Sequence, residues 1–438
     1  MPLPPETGGF TPPAPPVGYL WAREGARRVA RSTGFALRVY LAASHLIPLA
    51  APFVLRRRLA RGREDALRWR EKLGCPGSPR PEGRLIWMHA VGIGEVMALR
   101  GLIGAMAGQG FSFLVTSSAR SSAEVFGANL PERTIHQYLP LDAPGDLSRF
   151  LDHWRPDLSV WAEQDLWPGA VLAADRRGVP LALVNARMNA ASYARRRRVA
   201  SLYGDLLARF QVIAAQDQVT AGHLRGLGAG EVQVTGSLKA TSPPLAADEA
   251  EVARIKAALA GRRVWLAAST HAGDEAVVLE AHRRLMARDP EACLILVPRV
   301  PGRTVAVAGL PVALRSGGGM PGPGVFVVDR FGELGLWYRV ARVALVGGGF
   351  GIGGHNPWEP AHLGCAILHG PGVQNFAADY AALHAADAAL AVTGPDQVLA
   401  ALDDPALADR AARAHALAVR AGAALVPLAD QLAGLVRR

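Results

Sequence analysis

The chain has 438 residues, half of them hydrophobic and 19% charged, with a formal net charge of +11. That length supports roughly two or three domains with cores of their own, and the composition excludes a disordered chain. The positive balance points to an acidic partner, whether nucleic acid, an anionic membrane surface or a phosphorylated substrate.

Residues 1–18 are rich in Pro and Gly and lack the basic start and small-residue cleavage pattern of a signal peptide. An uncharged run follows at residues 39–55, interrupted by Pro48 and Pro52. As a helix it spans roughly 25 Å, short of the ~30 Å hydrocarbon core. Arg23, Arg27, Arg28 and Arg31 precede it, and Arg56, Arg57, Arg58, Arg61 and Arg63 follow it. Arginine on both sides gives a spanning segment no orientation, whereas a segment dipping into an anionic cytoplasmic leaflet suits both flanks. A buried helical hairpin of the first domain is the alternative. Cys75, Cys293 and Cys365 stand far apart, with no second Cys or His at metal-ligand spacing, which fits reduced core thiols in a cytosolic setting.

From Arg84 onward short apolar runs alternate with helical segments, the pattern of a doubly wound parallel sheet. The expected strands of a first series are residues 85–89, 113–116, 158–161, 181–184, 212–215 and 232–235. A second series, after the break at Ser242-Pro243-Pro244, takes residues 264–267, 294–297, 325–328, 343–346 and 366–368. The expected division is a tail and membrane-associating segment (1–70), two Rossmann-like domains (71–241 and 242–415) and a closing helix (416–438). Ligands of such sheets sit beyond the carboxyl ends of the strands, so polar groups just after strands in both halves should meet across a cleft.

Several do fall there. Glu95 follows the first strand in a glycine-spaced turn, as a candidate general base or simply a partner of the helix dipole. Glu163 and Asp165 follow another, beside Trp167 and Pro168, where they could bind sugar hydroxyls, steady a base or cap a helix. Arg187 comes after the next strand as an expected acceptor contact, and the run Arg195, Arg196, Arg197, Arg198 is either a solvated helix face or a contact for acceptor phosphates. In the second half Ser269, Thr270 and His271, then Pro298 and Arg299, follow strands, with Lys239 near the domain crossing. The turn from Gly347 to Pro360 packs glycines (Gly353 and Gly354 among them), His355, Asn356 and Glu359 where a strand hands over to a helix, a place suited to an anion. Together these resemble the donor site for a nucleotide phosphate. No G-x-x-x-x-G-K-[ST] loop, G-x-G-x-x-G fingerprint at the first strand or metal-ligand cluster occurs, so no metal and no cofactor is expected.

In sequence these segments resemble the 3-deoxy-D-manno-octulosonic acid (Kdo) transferases. The resemblance lies in His89-Ala90-Val91-Gly92-Ile93-Gly94-Glu95, Glu163-Gln164-Asp165-Leu166-Trp167-Pro168, Val184-Asn185-Ala186-Arg187, Ala268-Ser269-Thr270-His271, Val297-Pro298-Arg299 and Gly353-Gly354-His355-Asn356-Pro357-Trp358-Glu359-Pro360. Segments at 332–338 and at Gln374-Asn375-Phe376-Ala377 match as well. It implies an α/β, GT-B architecture and an inverting transfer of Kdo from CMP-Kdo to a lipid A precursor (lipid IVA) at the cytoplasmic face of the bacterial inner membrane. It further implies Glu95 as base, Glu163 as a second important carboxylate, and a CMP-sugar site in the second half that takes in Asn375. Asp165 stands where the family usually has Glu, and Ser237 and Thr241 where it usually has Asn and Asp. A nucleotide-sugar epimerase or hydrolase of the same fold, and a binding protein without catalysis, are the competing readings. Nucleic acid fits worst, since aromatics are few and the arginines cluster beside an apolar stretch.

Overall fold

The computed structural model describes residues 33–163 and 165–436. The expected tail with Arg23, Arg27, Arg28 and Arg31, and Gln164 of the acidic motif, lie outside the described residues. Near-continuous apolar runs, which can be buried on both faces, form two parallel sheets covered by helices. The first sheet comprises β1 (Leu85–His89), β2 (Ser112–Ser117), β3 (Thr134–Tyr138), β4 (Leu158–Ala162), β5 (Leu181–Ala186), β6 (Val212–Ala215) and β7 (Gln233–Val234). Its order is β3-β2-β1-β4-β5-β6-β7. The second comprises β8 (Val264–Thr270), β9 (Cys293–Pro298), β10 (Val312–Leu314), β11 (Gly324–Val327), β12 (Val343–Val346), β13 (Ala366–His369) and β14 (Ala389–Ala391), ordered β10-β11-β9-β8-β12-β13-β14. Strand order therefore reverses between β1 and β4 and again between β8 and β12. Those two switch points are where such sheets open a crevice for ligands.

Three strands escape the sequence pattern: β3, β10 and β14, each at a sheet edge. The fourth edge strand, expected over 232–235, shrinks to Gln233–Val234. Two register shifts interrupt the ladders near the site, one between Leu183 and Ala186 and one between Ala268 and Thr270. Such irregularities re-aim side chains, and both fall at strand ends that carry motif residues.

The uncharged N-terminal run forms two helices, α1 (Phe35–Ser44) and α2 (Ile47–Ala60), bent by 56°. One face docks on the first half: Leu37 is fully buried, Tyr40 donates its hydroxyl proton to Asp142 Oδ2 at 2.7 Å, and Ala51 and Leu55 are buried. The other face is bare, with Phe35, Leu49 and Phe53 each more than 70% exposed. Arg58 differs from its neighbours in the basic cluster. Its Nε pairs with Glu64 at 2.5 Å, and Glu64 in turn pairs with the buried Lys72 at 2.5 Å, so this arginine fastens α2 to the domain.

The helix Leu407–Val436 runs unbroken through the boundary expected at 415/416. Ala414 and Ala418 pack with Val346, Trp358 and Ile367 of the second half, while Leu425, Leu428, Leu432 and Val436 pack with Leu99, Ile103 and Phe113 of the first. Among the described helices it is the one long and apolar enough by length and composition to cross a membrane.

Candidate functional site

At the first switch point β1 delivers the turn Ala90–Glu95, and helix α3 (Ile93–Met106) begins inside it. Glu95 sits in the first turn of α3 and accepts from the amides of Val91 at 3.0 Å and Gly92 at 3.1 Å, which fixes the carboxylate at the helix N-terminus. Glu163, just past β4, is buried and lies 3.4 Å from Lys239 Nζ. Burial pushes its carboxyl up to about 7, the Lys239 charge pulls it down and the Glu95 charge raises it again. Asn185 presents Nδ2 3.5 Å from Glu163 Oε1, and its Oδ1 accepts the Leu238 amide at 2.9 Å. Leu238 opens the short turn Leu238–Thr241 that carries Lys239. Ser237 and Thr241, the two departures from the family pattern, brace that turn: Ser237 Oγ accepts from the Lys239 amide and Thr241 Oγ1 donates to Leu238 O. Asp165 stays on the exposed rim, its carboxyl raised by partial desolvation and then by Glu95, against the pull of Arg196.

The run of four arginines divides. Arg195, Arg197 and Arg198 are exposed at the end of the helix Ala190–Arg197. Arg196 is buried with its guanidinium over the Tyr203 ring, so a uniform solvated or phosphate-binding face is ruled out by packing. Arg187 reaches the second half instead, donating to the main-chain oxygens of Gln374 and Asn375.

At the second switch point β8 ends in Ser269 and Thr270, His271 follows it, and the glycine-rich turn leaves β12 beside it. Here the geometry corrects one expectation. The amides of Gly347, Gly348, Phe350, Ile352, Gly353, Gly354 and His355 are already bonded within the protein, so the turn offers few free N–H groups to an anion. The helix after it is short, Trp358–His362, and Asn356 Oδ1 accepts the Trp358 amide. Arg299 is exposed just past Pro298 at the end of β9. Thr270 is also more enclosed than expected: it is buried and its hydroxyl donates to Glu275 at 2.8 Å.

His271 and His355 stack with ring centroids 5.2 Å apart and their Nε2 atoms lie 3.0 Å apart, within hydrogen-bond distance. Burial lowers the His355 imidazole to about 4, reinforced by Arg299 and His271, so it is neutral at physiological pH. Glu359 is raised by burial to about 7, moderated by its hydrogen bond with Asn356 and by Arg299. Asn375 is fixed to the turn by its own side chain, which donates to Ile352 O at 2.9 Å. Gly353 and Gly354 have φ of 99° and 81°, a region that side chains rarely adopt.

One organising residue escaped the sequence reading. Asp274 is 1% exposed and accepts from the His271 amide at 2.9 Å, the Gly348 amide at 2.8 Å and the Phe350 amide at 3.1 Å. It ties the two segments of the second switch point together. Its position three residues after the residue preceding the helix is a helix-start spacing and was the available signal.

A family model described as 3-deoxy-D-manno-octulosonic-acid transferase (kdotransferase) matches residues 67–242. A probable mitochondrial 3-deoxy-D-manno-octulosonic acid transferase of Arabidopsis thaliana is 35% identical over 362 residues, covering 78% of this chain and 81% of the relative. The 3-deoxy-D-manno-octulosonic acid transferase of Bordetella pertussis is 34% identical over 387 residues, covering 82% of this chain and 90% of the relative. Among solved structures, the UDP-GlcNAc 2-epimerase of Neisseria meningitidis bound to UDP-GlcNAc superposes with a TM-score of 0.54 over 81% of this chain and 99% of that one. At 12% identity that likeness speaks for the shared fold alone, and the epimerase or hydrolase alternative gains nothing from it.

Proposed function

The chain belongs to the 3-deoxy-D-manno-octulosonic acid (Kdo) transferase family, and from that premise we propose how its residues divide the work. The reaction is transfer of Kdo from CMP-Kdo to a lipid A precursor. Glu95 removes the proton of the acceptor hydroxyl as that oxygen bonds to the anomeric carbon of Kdo. The bond from that carbon to the phosphate oxygen breaks, its electron pair leaves with CMP, and attack from the opposite face inverts the configuration.

The observation that carries this reading is the first switch point. Two carboxylates from different strands converge there beside one lysine, with Glu95 fixed at a helix start and Glu163 held at about 7. Two adjacent acids in unlike environments separate their roles: Glu95 works as the base, and Glu163 with Lys239 sets the field around it. In the second half Arg299 and Lys239 answer the charge that grows on the departing phosphate. Ser269, His271, His355, Asn356 and Glu359 line the nucleotide side, with Glu359 orienting the ribose or His355. Pro298, Thr270, Gly353, Gly354 and Asn375 shape that side from behind. Arg195, Arg197 and Arg198 meet phosphates of the acceptor.

The protein works at the cytoplasmic face of the inner membrane, resting on anionic lipid through α1 and α2. The bare residues Phe35, Val39, Leu46, Leu49, Phe53 and Val54 and the exposed Arg56, Arg57, Arg61 and Arg63 favour that placement. The domain division at about residues 71–241 and 242–415 is part of the same proposal, with the C-terminal helix bridging the halves.

Glu95→Gln tests the base, since the amide oxygen keeps the cap on Val91 and Gly92 while the basicity is lost. Transfer to lipid IVA should fall by about 10²–10⁴-fold with CMP-Kdo affinity by calorimetry unchanged. Lost donor affinity with turnover preserved overturns the assignment.

A further inference from the structure

The short turn Gln374–Phe376 is gripped from two sides. Toward its own half, the Asn375 amide donates to Gly353 O at 2.8 Å, and Asn375 Nδ2 donates to Ile352 O at 2.9 Å and Gly354 O at 3.4 Å. The turn is thereby stitched to the glycine-rich loop. Toward the first half, Arg187 Nη1 donates to Asn375 O at 3.2 Å and Nη2 to Gln374 O at 3.3 Å. The Lys239 ammonium also lies 5.0 Å from the centroid of the Phe376 ring, within cation–π range.

The Arg187 guanidinium spends two of its five N–H groups on main-chain carbonyls, which fixes its plane on the turn. Its planar fork suits a two-point grip that lysine cannot copy. Arg187 stands two residues past Asn185, which contacts Glu163, and Lys239 contacts Glu163 as well. The turn held by these two cations is therefore one step from the carboxylates and one step from the loop.

We infer that Arg187 is a positioning residue: it clasps the carbonyls of Gln374 and Asn375 across the cleft, so that the order of the donor loop and the placement of the Glu95 and Glu163 side are set together. The inference rests on the proposed function only in taking the glycine-rich loop as part of the CMP-Kdo site. Arg187 thus moves from an acceptor contact to an interdomain latch. Lys239 assists through Phe376, and Phe376→Leu removes that contact without touching the clasp.

Amide hydrogen exchange on the full chain tests this without catalysis. In Arg187→Ala, exchange at Asn375 and Phe376 should quicken by about tenfold, the scale of a lost hydrogen bond from a charged donor. Arg187→Lys should give an intermediate value. The amides of Gly348 and Phe350, held by Asp274, should not change. In steady-state kinetics Arg187→Ala should raise KM for CMP-Kdo by about tenfold and leave KM for the lipid acceptor where it was. Unchanged exchange with a raised acceptor KM makes Arg187 an acceptor ligand and overturns the clasp. Equal loosening at Gly348 and Phe350 marks general destabilisation and overturns it too. If exchange responds as expected but the wild-type protein transfers no Kdo, the clasp stands and the functional reading falls.

Discussion

Replacing Gly349 by alanine should damage the second switch point in a measurable way, because the loops after β12 and β13 touch backbone to backbone. A Cβ on Gly349 would lie 2.6 Å from both the nitrogen and the Cα of Gly370, and one on Gly370 would lie 2.6 Å from the Gly349 carbonyl carbon. Ordinary contact begins at 3.4 Å, so the loops must part by roughly 0.8 Å, and neither obstacle is a side chain that can swing away. Neither glycine has a positive φ, so the cost is steric and not conformational. Overpacking costs typically 1–3 kcal/mol, and a double backbone obstacle belongs at the upper end, about 3 kcal/mol. At roughly 2–4 °C per kcal/mol for a domain of this size, Tm should fall by roughly 6–12 °C in a thermal scan. Gly351 supplies the control from the same turn: nothing lies within 4 Å of a Cβ there and its φ is not positive, so Gly351→Ala should stay within about 0.5 kcal/mol of wild type. CMP-Kdo affinity should follow stability, reduced for Gly349→Ala and nearly intact for Gly351→Ala. Equal shifts in the two variants, or a Gly349→Ala shift under about 2 °C, would refute the close-approach argument.

Three further outcomes follow from the same geometry. Glu163 has a folded-state value of about 7 against an ordinary 4.5, so the folded protein holds that proton more tightly and stability declines as pH rises between those values. In urea unfolding across that window the wild type should therefore lose stability on the order of 3 kcal/mol as pH rises while Glu163→Gln does not, and parallel curves would contradict it. Asp274→Ala strands three inward amides, of His271, Gly348 and Phe350, and should cost about 3–5 kcal/mol together with donor affinity; a neutral result would mean those amides find other partners. The double change Leu49→Ser with Phe53→Ser should weaken binding to vesicles containing anionic lipid by roughly a hundredfold, each side chain contributing about 1.5 kcal/mol, while unchanged binding would place the membrane contact elsewhere.

What could be read from sequence depended on burial. Interior strands such as β1, β6 and β12 coincide with their expected limits, since a strand buried on both faces must be apolar along its length. The strands that escaped notice, β3, β10 and β14, are at sheet edges, where length and hydrophobicity are relaxed. Thr134-Ile135-His136-Gln137-Tyr138 contains one aliphatic residue, and no apolar window finds it. The site divides in the same manner. The residues proposed for the site could be picked out by type and by their place after strands: Glu95, Glu163, Lys239, Arg299 and the glycines. Partnerships between segments 74, 76 or 187 residues apart were not visible, such as the Asp274 bonds to Gly348 and Phe350 or the reach of Arg187 to Gln374. Nothing in local composition distinguishes an arginine that meets substrate from one that meets a carbonyl.

Backbone conformation sets the two switch points apart from the rest of the sheets. Glu163, Asn185 and Ser269 adopt positive φ angles of 64°, 53° and 56° without being glycine. Such conformations cost of order 1–3 kcal/mol each and persist only where surrounding contacts over-determine them. The contacts are present: Asn185 is held by the Leu238 amide through Oδ1 and by Gln216 through its main-chain oxygen, and Asn185 and Ser269 both sit at register shifts of their sheets. The other left-handed residues, Arg133, Arg155 and Asp387, lie just outside regular elements, where a chain reversal explains them locally. Asn185 and Ser269 lie inside β5 and β8, where no chain reversal requires the strain, whereas Glu163 stands in the turn just past β4. The Glu163 carboxyl faces Lys239 at 3.4 Å, and the chain at Ser269 packs against Gly347, where a Cβ would lie 2.5 Å from Ser269 O. The surrounding contacts hold Asn185 beside Glu163 and Ser269 beside the glycine-rich loop in one fixed arrangement.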